Sequence, residues 1–316
     1  MLRYSENTMT IHFGNDYPSL DKPYVTVGVF DGVHLGHRAL LDQLVLKAHK
    51  AGRESVVITF EPHPRLVLPG EKRNLSFLST PEEKKELLGK SGIDHLIIMP
   101  FTSELAGMGA GQFISEILAA KIGAGYLLVG YDNHFGKGRD ADFRSIRNHA
   151  LRHGLETEQV EGIKGPDGFI SSTIIRNALL SRRLESANAC LGYSYPLTGE
   201  VVTGRNLGHL LGFPTANIRP PENKLVPADG VYAVETFIGN DKYNGMLSIG
   251  VNPTVNKDWK SKSVEVNIFG FSGDLYGQTV RVVFRYWLRE EKNFAGTGQL
   301  SDQMKLDRIE ALRLLT

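Results

Sequence analysis

The sequence predicts two domains of different fold class, an α/β domain followed by an all-β domain. The chain has 316 residues, more than one hydrophobic core usually organises. Strand-like and helix-like segments alternate up to about residue 185. After Tyr195 the pattern changes to short β-rich segments separated by glycine turns. We therefore expect one domain over residues 1–188 and a second over residues 189–316.

The first two strands and the helix between them follow from the apolar pattern. Residues 24–30 (YVTVGVF) are typical of a buried strand, and residues 55–60 (SVVITF) of a second. Between them, five apolar residues have helical spacing and the pattern stops at Gly52; they are Leu40, Leu41, Leu44, Val45 and Ala48.

The rest of the first domain continues the same alternation. Thr80-Pro81-Glu82-Glu83 is a capping box with proline at the first helical position. Further strands are predicted at residues 95–100, 126–130 and 157–161, and helices at residues 112–122 and 143–153. Such alternation indicates a parallel sheet with helices on both faces.

The second domain reads as short antiparallel strands. Glycine-containing turns at residues 239–241 and 272–274 separate β-rich segments, which are residues 230–238, 242–250, 263–271 and 278–288. This spacing predicts a small barrel or sandwich. Residues 300–315 form an amphipathic pattern, so we expect a terminal helix that covers one end of the barrel.

Composition excludes several classes of protein. The 36 Lys and Arg against 35 Asp and Glu give a charge of +1, so no nucleic-acid partner is expected. No apolar run approaches the roughly 20 residues of a membrane helix, and the N-terminus lacks the apolar core of a signal peptide. Cys190 is the only cysteine, which excludes an internal disulfide. These features predict a cytoplasmic protein with no membrane partner.

The first candidate site lies where three predicted strands end. Residues 30–37, 61–64 and 131–136 bring polar, ring-bearing and glycine residues to the carboxyl edge of the sheet, where doubly wound folds bind ligands. His34 and His37 are three residues apart at the start of a helix, so they can face one anion. Gly36 leaves room for a phosphate, and imidazole can donate a hydrogen bond to a transition-state oxygen. The alternative is a pair of surface histidines at a helix cap; His63 either contacts phosphate or only shapes its turn.

The second candidate site is the glycine-rich segment before Thr215. Its glycines are spaced as in a loop that approaches a ligand closely, and they are Gly199, Gly204, Gly208 and Gly212. Thr215 and Asn217 are two apart, so in an extended segment they face one side and offer the hard oxygens that Mg²⁺ prefers. Glu265 could take the proton of an alcohol that attacks a nucleotide phosphate. The alternatives are an ordinary barrel turn and a solvent-facing strand glutamate.

The first domain resembles a known family. "GVFDGVHLGH" resembles the HxGH signature of nucleotidyltransferases, and "TFEPHP", "GYDNHFGKGRDAD" and "ISSTIIRNAL" follow in the order of the FAD synthetase module of bacterial bifunctional riboflavin kinase/FMN adenylyltransferases. The resemblance implies a Rossmann-like nucleotidyltransferase sheet in which His34 and His37 contact the triphosphate and stabilise the transition state. It places Asp132 and Phe135 where adenine and flavin meet. It also implies two nucleotide-binding sets, which are Gly28, Phe30 and Asp31 in the pocket and Ser172, Thr173 and Arg176 in a last helix that closes over the phosphates.

The second domain resembles the riboflavin kinase module of the same family. The segments "LGFPTANI", "GVYAV", "SIGVNPT", "VEVNIFGFSGDLYG" and "LREEKNF" occur in the family's order. The resemblance implies a six-stranded antiparallel barrel in which Thr215 and Asn217 bind the magnesium of ATP and Glu265 activates the ribityl hydroxyl of riboflavin. It implies a flavin site at Asn252, Thr254 and Arg289, with Pro253 in the same loop. His209 and Gly270 depart from the family, which commonly has arginine and aspartate there.

Together these features predict a bifunctional enzyme of flavin cofactor synthesis. One domain would convert riboflavin to FMN with Mg²⁺ and ATP, and the other would convert FMN to FAD with release of pyrophosphate. We expect a monomer or a weak homo-oligomer. The alternatives are a nucleotidyltransferase for another phosphate acceptor, and a flavin- or nucleotide-binding protein with one or both sites inactive.

Overall fold

A computed structural model describes residues 9–14, 16–68, 75–131, 142–204, 213–251 and 262–316. Contacts divide the chain into two compact units, Met1–Ser171 and Ser172–Thr316. The division falls before residue 188 because the two helices that follow Ser171 pack against each other, and the second packs against a strand of the second unit. The predicted domain limit at residues 188 and 189 stays a prediction.

The first unit is built on a parallel sheet of six strands. The strands are β1 (Thr10–Phe13), β2 (Tyr24–Val27), β3 (Ser55–Glu61), β4 (His95–Pro100), β5 (Tyr126–Val129) and β6 (Glu156–Gln159). Their order is β1-β4-β3-β2-β5-β6, and every neighbouring pair is parallel. The five predicted strands are confirmed. The edge strand β1 was not predicted, and β2 ends at Val27 because the chain leaves the sheet in a turn that gives Phe30 a φ of 54°.

Helices cover both faces of this sheet. They are α1 (Leu35–Lys50), α2 (Pro64–Val67), α3 (Pro81–Gly89), α4 (Ser103–Gly107), α5 (Ala110–Gln112), which continues as a π-helix (Phe113–Lys121), and α6 (Phe143–Arg152). Because strand side chains alternate between faces, Val56 and Ile58 pack with the π-helix and α6, whereas Val57 packs with α1 and α3. A short hairpin, β7 (Lys164–Gly165) and β8 (Gly168–Phe169), completes the unit.

The capping box predicted at Thr80 is present. Glu83 N donates to Thr80 Oγ1 at 3.2 Å, and Thr80 N donates to Glu83 Oε2 at 3.0 Å. This cap starts α3 next to the loop that follows β2.

The strand order places a topological switch point between β2 and β5. From β2 the chain proceeds to β3 on one side, and β5 lies on the other side. A crevice opens beyond the carboxyl ends of two such strands, and doubly wound folds bind their ligands there. The turn after β2 and the residues after β5 therefore form the rim of the expected site.

The second unit consists of two helices and a closed barrel. The helices are α7 (Ser172–Leu180) and α8 (Leu184–Leu191). The strands are β9 (Pro196–Val202), β10 (Ala216–Arg219), β11 (Gly230–Ile238), β12 (Asp241–Val251), β13 (Lys262–Ile268) and β14 (Thr279–Arg289). All six pairings are antiparallel, and the order around the barrel is β10-β13-β12-β11-β14-β9. The six-stranded antiparallel barrel is confirmed.

The terminal helix α9 (Thr297–Leu315) packs on the wall of the barrel. Its Ala311 packs with Ala233, Met246 and Tyr286, which are neighbours on β11, β12 and β14. Ala233 alternates with the buried Tyr232, whose ring meets that of Phe284 edge to face in the barrel interior. A register shift between β11 and β14 separates Phe284 from the outward-facing Tyr286. The expectation that this helix covers one barrel end was therefore wrong. The apolar stripe of the helix matches the outward-facing residues of three adjacent strands.

Candidate active sites

The turn after β2 is held in an uncommon backbone conformation. Phe30, Gly32 and Val33 have φ values of 54°, 81° and 34°, and bulky residues rarely adopt this left-handed region. Phe30 is 1 % exposed, and its ring lies against His37 with centroids 5.1 Å apart. A Cβ on Gly28 would lie 3.0 Å from the Phe30 ring, so the absence of a side chain at Gly28 allows the ring to pack against the backbone there. The assignment of Gly28 and Phe30 to the nucleotide pocket stays a prediction.

His34 and His37 stack on each other at the start of α1. Their ring centroids are 3.7 Å apart and their planes differ by 16°. His34 is the N-cap residue, and its Nδ1 accepts a hydrogen bond from His37 N at 3.3 Å. That bond assigns the proton of a neutral His34 to Nε2. The spacing of three residues has thus brought both rings to the positive end of the helix dipole, as predicted.

The environment of His37 keeps its ring neutral. Burial, together with the proximity of His34, holds the pKa of His37 well below its usual value. Its Nδ1 is buried and has no hydrogen-bond partner in the described part of the chain. A proton on Nε2 leaves no buried N–H without an acceptor, so this tautomer is favoured. His37 can therefore donate from Nε2 to an anion without first binding a proton.

This shift predicts an acid-sensitive contribution to stability. Because the folded pKa lies below the unfolded one, the unfolded state binds an extra proton below about pH 6.5, and stability falls by about 1.4 kcal/mol per pH unit in that window. A His37→Phe variant keeps a ring and does not titrate, so it should lose less stability between pH 7.5 and pH 5 in denaturant unfolding. His153→Phe, at an exposed histidine, is the control. Equal acid sensitivity of wild type and His37→Phe would contradict this assignment.

Asp31 holds the turn after β2 in place. It is 5 % exposed, and its Oδ1 accepts from Leu78 N at 2.8 Å and from Ser79 N at 3.1 Å. In return, Gly32 N donates to Ser79 Oγ at 3.0 Å. The turn is therefore tied to the segment that leads into the cap of α3. Lining of the nucleotide pocket by Asp31 stays a prediction.

A buried lysine beside this turn was not predicted from the sequence. Lys84 is 8 % exposed, and its Nζ donates to Thr59 Oγ1 and to Phe60 O, both at 3.2 Å. Burial lowers the pKa of Lys84, although the negative charges of Glu61 and Asp31 oppose that change. Leu88, one turn along α3, is also buried, so helical spacing from Leu88 could have placed Lys84 on the inner face.

His63 shapes its turn. Its Nδ1 accepts from Arg65 N at 3.1 Å and caps the short helix α2. Its ring stacks on Phe77 with centroids 4.1 Å apart. These contacts support the interpretation that His63 shapes its turn. Contact of His63 with phosphate stays a prediction.

The predicted last helix of the nucleotide site is α7. Ser172 and Thr173 open it, and Arg176 Nη2 donates to Thr173 Oγ1 at 3.3 Å. By its contacts α7 belongs to the second unit. Closure of these residues over phosphates stays a prediction. Six other predicted site residues lie outside the described residues; they are Asp132, Phe135, Gly208, Gly212, Asn252 and Thr254. His209 and Pro253 lie outside them as well.

In the barrel, strand register brings the second set of predicted residues together. Directly opposed residues of antiparallel strands share a face. Asn217 opposes Glu265, Glu265 opposes Ser248, and Ser248 opposes Val231. Val231 in turn opposes Arg289 on β14. One row of side chains thus crosses five strands on the outer wall and carries three of the predicted residues.

A cavity of about 210 Å³ lies over this row, beneath α9. Its lining includes Thr215, Ser248, Glu265, Asn267, Arg289 and Met304. Asn267 is two residues from Glu265 and donates from Nδ2 to Pro214 O at 2.7 Å, which anchors the segment that carries Thr215. Asn267 was not predicted as a site residue, although the period of two that paired Thr215 with Asn217 applies equally to Glu265 and Asn267.

A larger cavity of about 500 Å³ adjoins the start of β10. Pro214, Thr215 and Ala216 line one part of it, and the turn from Phe271 to Tyr276 lines another. Thr215 lines both cavities. The two cavities therefore meet at Thr215. A ligand in the larger cavity can approach the Glu265 carboxylate, which lines the smaller cavity. Gly270, just before the turn, has a φ of 72°, which favours glycine over the aspartate common in the family.

Arg289 is fixed by an ion pair to the terminal helix. Its guanidinium donates to both carboxylate oxygens of Asp307, with Nη2 at 2.7 Å and Nε at 2.9 Å. Asp307 is 5 % exposed and also accepts from Gln303 Nε2 at 2.9 Å. Arg289 lines the smaller cavity, and the same pair holds α9 over that cavity. Its contact with flavin stays a prediction.

Gly204 packs directly against the Asn217 side chain. A Cβ at this position would overlap the side-chain amide of Asn217. The sequence indicated a glycine that approaches a ligand closely, and the structure shows a close approach to a predicted magnesium ligand. The possible metal ligands beside Gly204 are the Thr215 hydroxyl, the Asn217 amide oxygen and the Glu265 carboxylate. Oxygen ligands of this kind fit Mg²⁺. No group of three His, Cys, Asp or Glu side chains in the described ranges could hold a metal by itself.

We expect Gly204→Ala to impair the barrel site selectively. The new methyl group displaces the Asn217 amide, and a displacement of about 1 Å can reduce a rate about 10²-fold. For the phosphorylation that the sequence predicts for the barrel, the KM for Mg·ATP should rise, while the adenylylation predicted for the first unit should not change. Gly298→Ala in α9, whose Cβ would meet nothing within 4 Å, is the matched control. An unchanged KM for Mg·ATP in Gly204→Ala would show that Asn217 does not contact the nucleotide.

Both units match known families. Residues 17–174 match the FAD synthetase family, and residues 191–315 match the riboflavin kinase family. The chain is 35 % identical over 283 residues to a bifunctional riboflavin kinase/FMN adenylyltransferase of Listeria monocytogenes, covering 90 % of this chain and 89 % of the relative. It is 35 % identical to the protein of that name from Escherichia coli K12, covering 91 % of both chains. The Bacillus subtilis protein of that name is 32 % identical, with 92 % of both covered.

A solved structure has the same overall fold. A Streptococcus pneumoniae protein described as a macrolide-efflux protein superimposes with a TM-score of 0.86 at 32 % identity, and the match covers 95 % of this chain and 97 % of that one. The efflux description concerns that protein. Among the described residues here, no helix has the length and apolar composition needed to cross a bilayer.

Proposed function

The chain belongs to the family of bifunctional riboflavin kinase/FMN adenylyltransferases, and from this premise we propose how its two sites divide the synthesis of FAD. The barrel phosphorylates riboflavin to FMN, and the parallel-sheet unit adenylylates FMN to FAD. The order is chemically consistent because the phosphate that the first reaction adds is the nucleophile of the second. The observation that carries the proposal is the row of Asn217, Glu265 and Arg289 on one barrel wall, with Thr215 shared by two cavities.

In the barrel, Glu265 takes the proton of the ribityl 5′-hydroxyl. That oxygen attacks the γ-phosphorus of ATP, the bond from the γ-phosphorus to the bridging oxygen breaks, and ADP leaves. ATP occupies the larger cavity and riboflavin the smaller, so the transferred phosphoryl group passes Thr215. Thr215 and Asn217 would hold the Mg²⁺ of ATP, which would neutralise charge on the phosphates.

In the parallel-sheet unit, an oxygen of the FMN phosphate attacks the α-phosphorus of ATP. The bond between the α-phosphorus and the bridging oxygen breaks, and pyrophosphate leaves. His34 and His37 donate from Nε2 to the oxygens that gain charge, and the amides at the start of α1 add to this field. Asp31 and Ser79 keep the turn in the geometry that aims both rings. No side-chain nucleophile is needed.

The test is an incubation of the purified protein with riboflavin, ATP and MgCl₂, with the flavins separated by chromatography. We expect FMN to appear first and FAD to follow, and EDTA to stop both reactions. Supplied FMN should yield FAD and pyrophosphate in equal amounts. If neither FMN nor FAD forms, the proposed function is wrong. The expected monomer or weak homo-oligomer and the cytoplasmic location stay predictions.

A further inference from the structure

The rim of the parallel sheet carries a pair of exposed aromatic rings. Tyr131 lies just beyond the carboxyl end of β5, and Phe169 is the last residue of β8. Their ring centroids are 4.9 Å apart with planes 30° from parallel. Tyr131 is 51 % exposed and Phe169 is 41 % exposed. Each ring covers part of the other and leaves apolar surface in contact with water at the switch point of the sheet.

The surrounding backbone supports this aromatic pair. A Cβ on Gly162 would lie 2.7 Å from Phe169 Cδ1 and 3.1 Å from Tyr131 Cδ1, so glycine is what lets both rings lie against the chain there. Gln159 Nε2 donates to Tyr131 O at 3.3 Å, and Ile170 N donates to Ile163 O at 2.8 Å. These bonds tie the backbone at Tyr131 to β6 and the backbone after Phe169 to Ile163, so the chain segments that carry both rings are held in place.

The aromatic pair borders the histidine pair. Ile170, the residue after Phe169, places its carbonyl oxygen 3.5 Å from where a Cβ on Gly36 would lie. Gly36 lies between His34 and His37 at the start of α1. A ligand whose phosphate meets the two histidines can therefore extend over Ile170 to the aromatic rings.

We propose that Tyr131 and Phe169 bind the isoalloxazine ring of the FMN that is adenylylated. This inference rests on the proposed function of the first site and names where its acceptor lies. Flat rings stack on aromatic side chains, and exposed aromatics that stack bases are a common means of holding nucleotides. The oxidised isoalloxazine ring is electron-poor and the phenol of Tyr131 is electron-rich, which favours this stack over one with adenine. The ribityl chain connects that ring to the phosphate beside His34 and His37.

The test measures both substrates of FAD formation. Tyr131→Ala and Phe169→Ala should each raise the KM for FMN about tenfold, the effect expected from loss of one ring stack, and leave the KM for ATP unchanged. Tyr131→Phe keeps the ring but not the hydroxyl, so its KM for FMN should lie much closer to the wild-type value than that of Tyr131→Ala. Lumiflavin, which has the ring and no phosphate, should inhibit competitively against FMN, and its inhibition constant should rise by the same factor in Tyr131→Ala.

Phe13→Ala is the matched control, because Phe13 is a 60 % exposed aromatic on the edge strand β1 of the same unit. It should leave both KM values unchanged. A raised KM for ATP with an unchanged KM for FMN would assign the aromatic pair to adenine and overturn the proposal. Unchanged KM values for both substrates, in variants that still form FAD, would also overturn it. A wild-type protein that forms no FAD from FMN would overturn the proposed function instead, and the flavin subsite with it.

Discussion

Replacing Glu265 with glutamine is expected to reduce riboflavin phosphorylation about 10²- to 10⁴-fold, the range that loss of a general base produces. Glutamine keeps the size of the side chain and its place in the row between Asn217 and Ser248. It cannot accept the proton of the ribityl hydroxyl. The loss should therefore appear in kcat, with little change in the KM for riboflavin or for ATP.

The measurement is the initial rate of FMN formation, followed by the rate of FAD formation from supplied FMN. The second rate should equal that of wild type, because Glu265 lies in the barrel and the histidine pair lies in the other unit. Glu235→Gln is the matched control. Glu235 is also a strand glutamate of the barrel, and its carboxylate pairs with Lys242 at 3.0 Å. If the Glu265 and Glu235 variants have the same kinase activity, Glu265 is not the base.

The fold was predictable wherever a local pattern decides the structure. The alternation of strands and helices, the capping box at Thr80 and the glycine turns of the barrel each depend on a few neighbouring residues. The edge strand β1 was missed because it has only four residues, too few for their alternation to stand out, and its apolar residues Ile11 and Phe13 are exposed. Two of the four, His12 and Phe13, point to opposite faces of a sheet edge. The placement of α9 depends on Ala233 and Met246, which lie far from it in sequence.

The site residues divide in the same way. His34 and His37, and also Thr215 and Asn217, could be named as candidates because each pair follows the period of its own element. The contacts that fix the site residues were not predicted, although Asp31 and Arg289 themselves were among the candidates. Asp31 bonds to Ser79, Asn267 to Pro214 and Arg289 to Asp307, and each contact joins separate segments. Lys84 was missed because a lysine next to another lysine on a helix usually faces solvent. Contacts of this kind exist only after the chain has folded.

The second large effect is expected at the histidine pair. His37→Ala should reduce FAD formation from FMN about 10²- to 10³-fold, as loss of one transition-state hydrogen-bond donor does elsewhere. The variant also removes a ring that stacks on His34 and meets the Phe30 edge, so a His37→Asn variant is needed beside it. Asparagine keeps a donor but not the ring, and partial recovery of kcat would identify the hydrogen bond as the active feature.

His49→Ala provides the comparison within the same helix. His49 lies near the C-terminus of α1, and its Nε2 is 2.9 Å from Asp94 Oδ2. Removal of the His49 side chain should not affect FAD formation, because the C-terminal end of α1 is remote from the turn after β2. The rate of riboflavin phosphorylation should be unchanged in every histidine variant. A His37→Ala protein that still makes FAD at the wild-type rate would remove the imidazole from the mechanism, and the amides at the start of α1 would then carry the charge stabilisation alone.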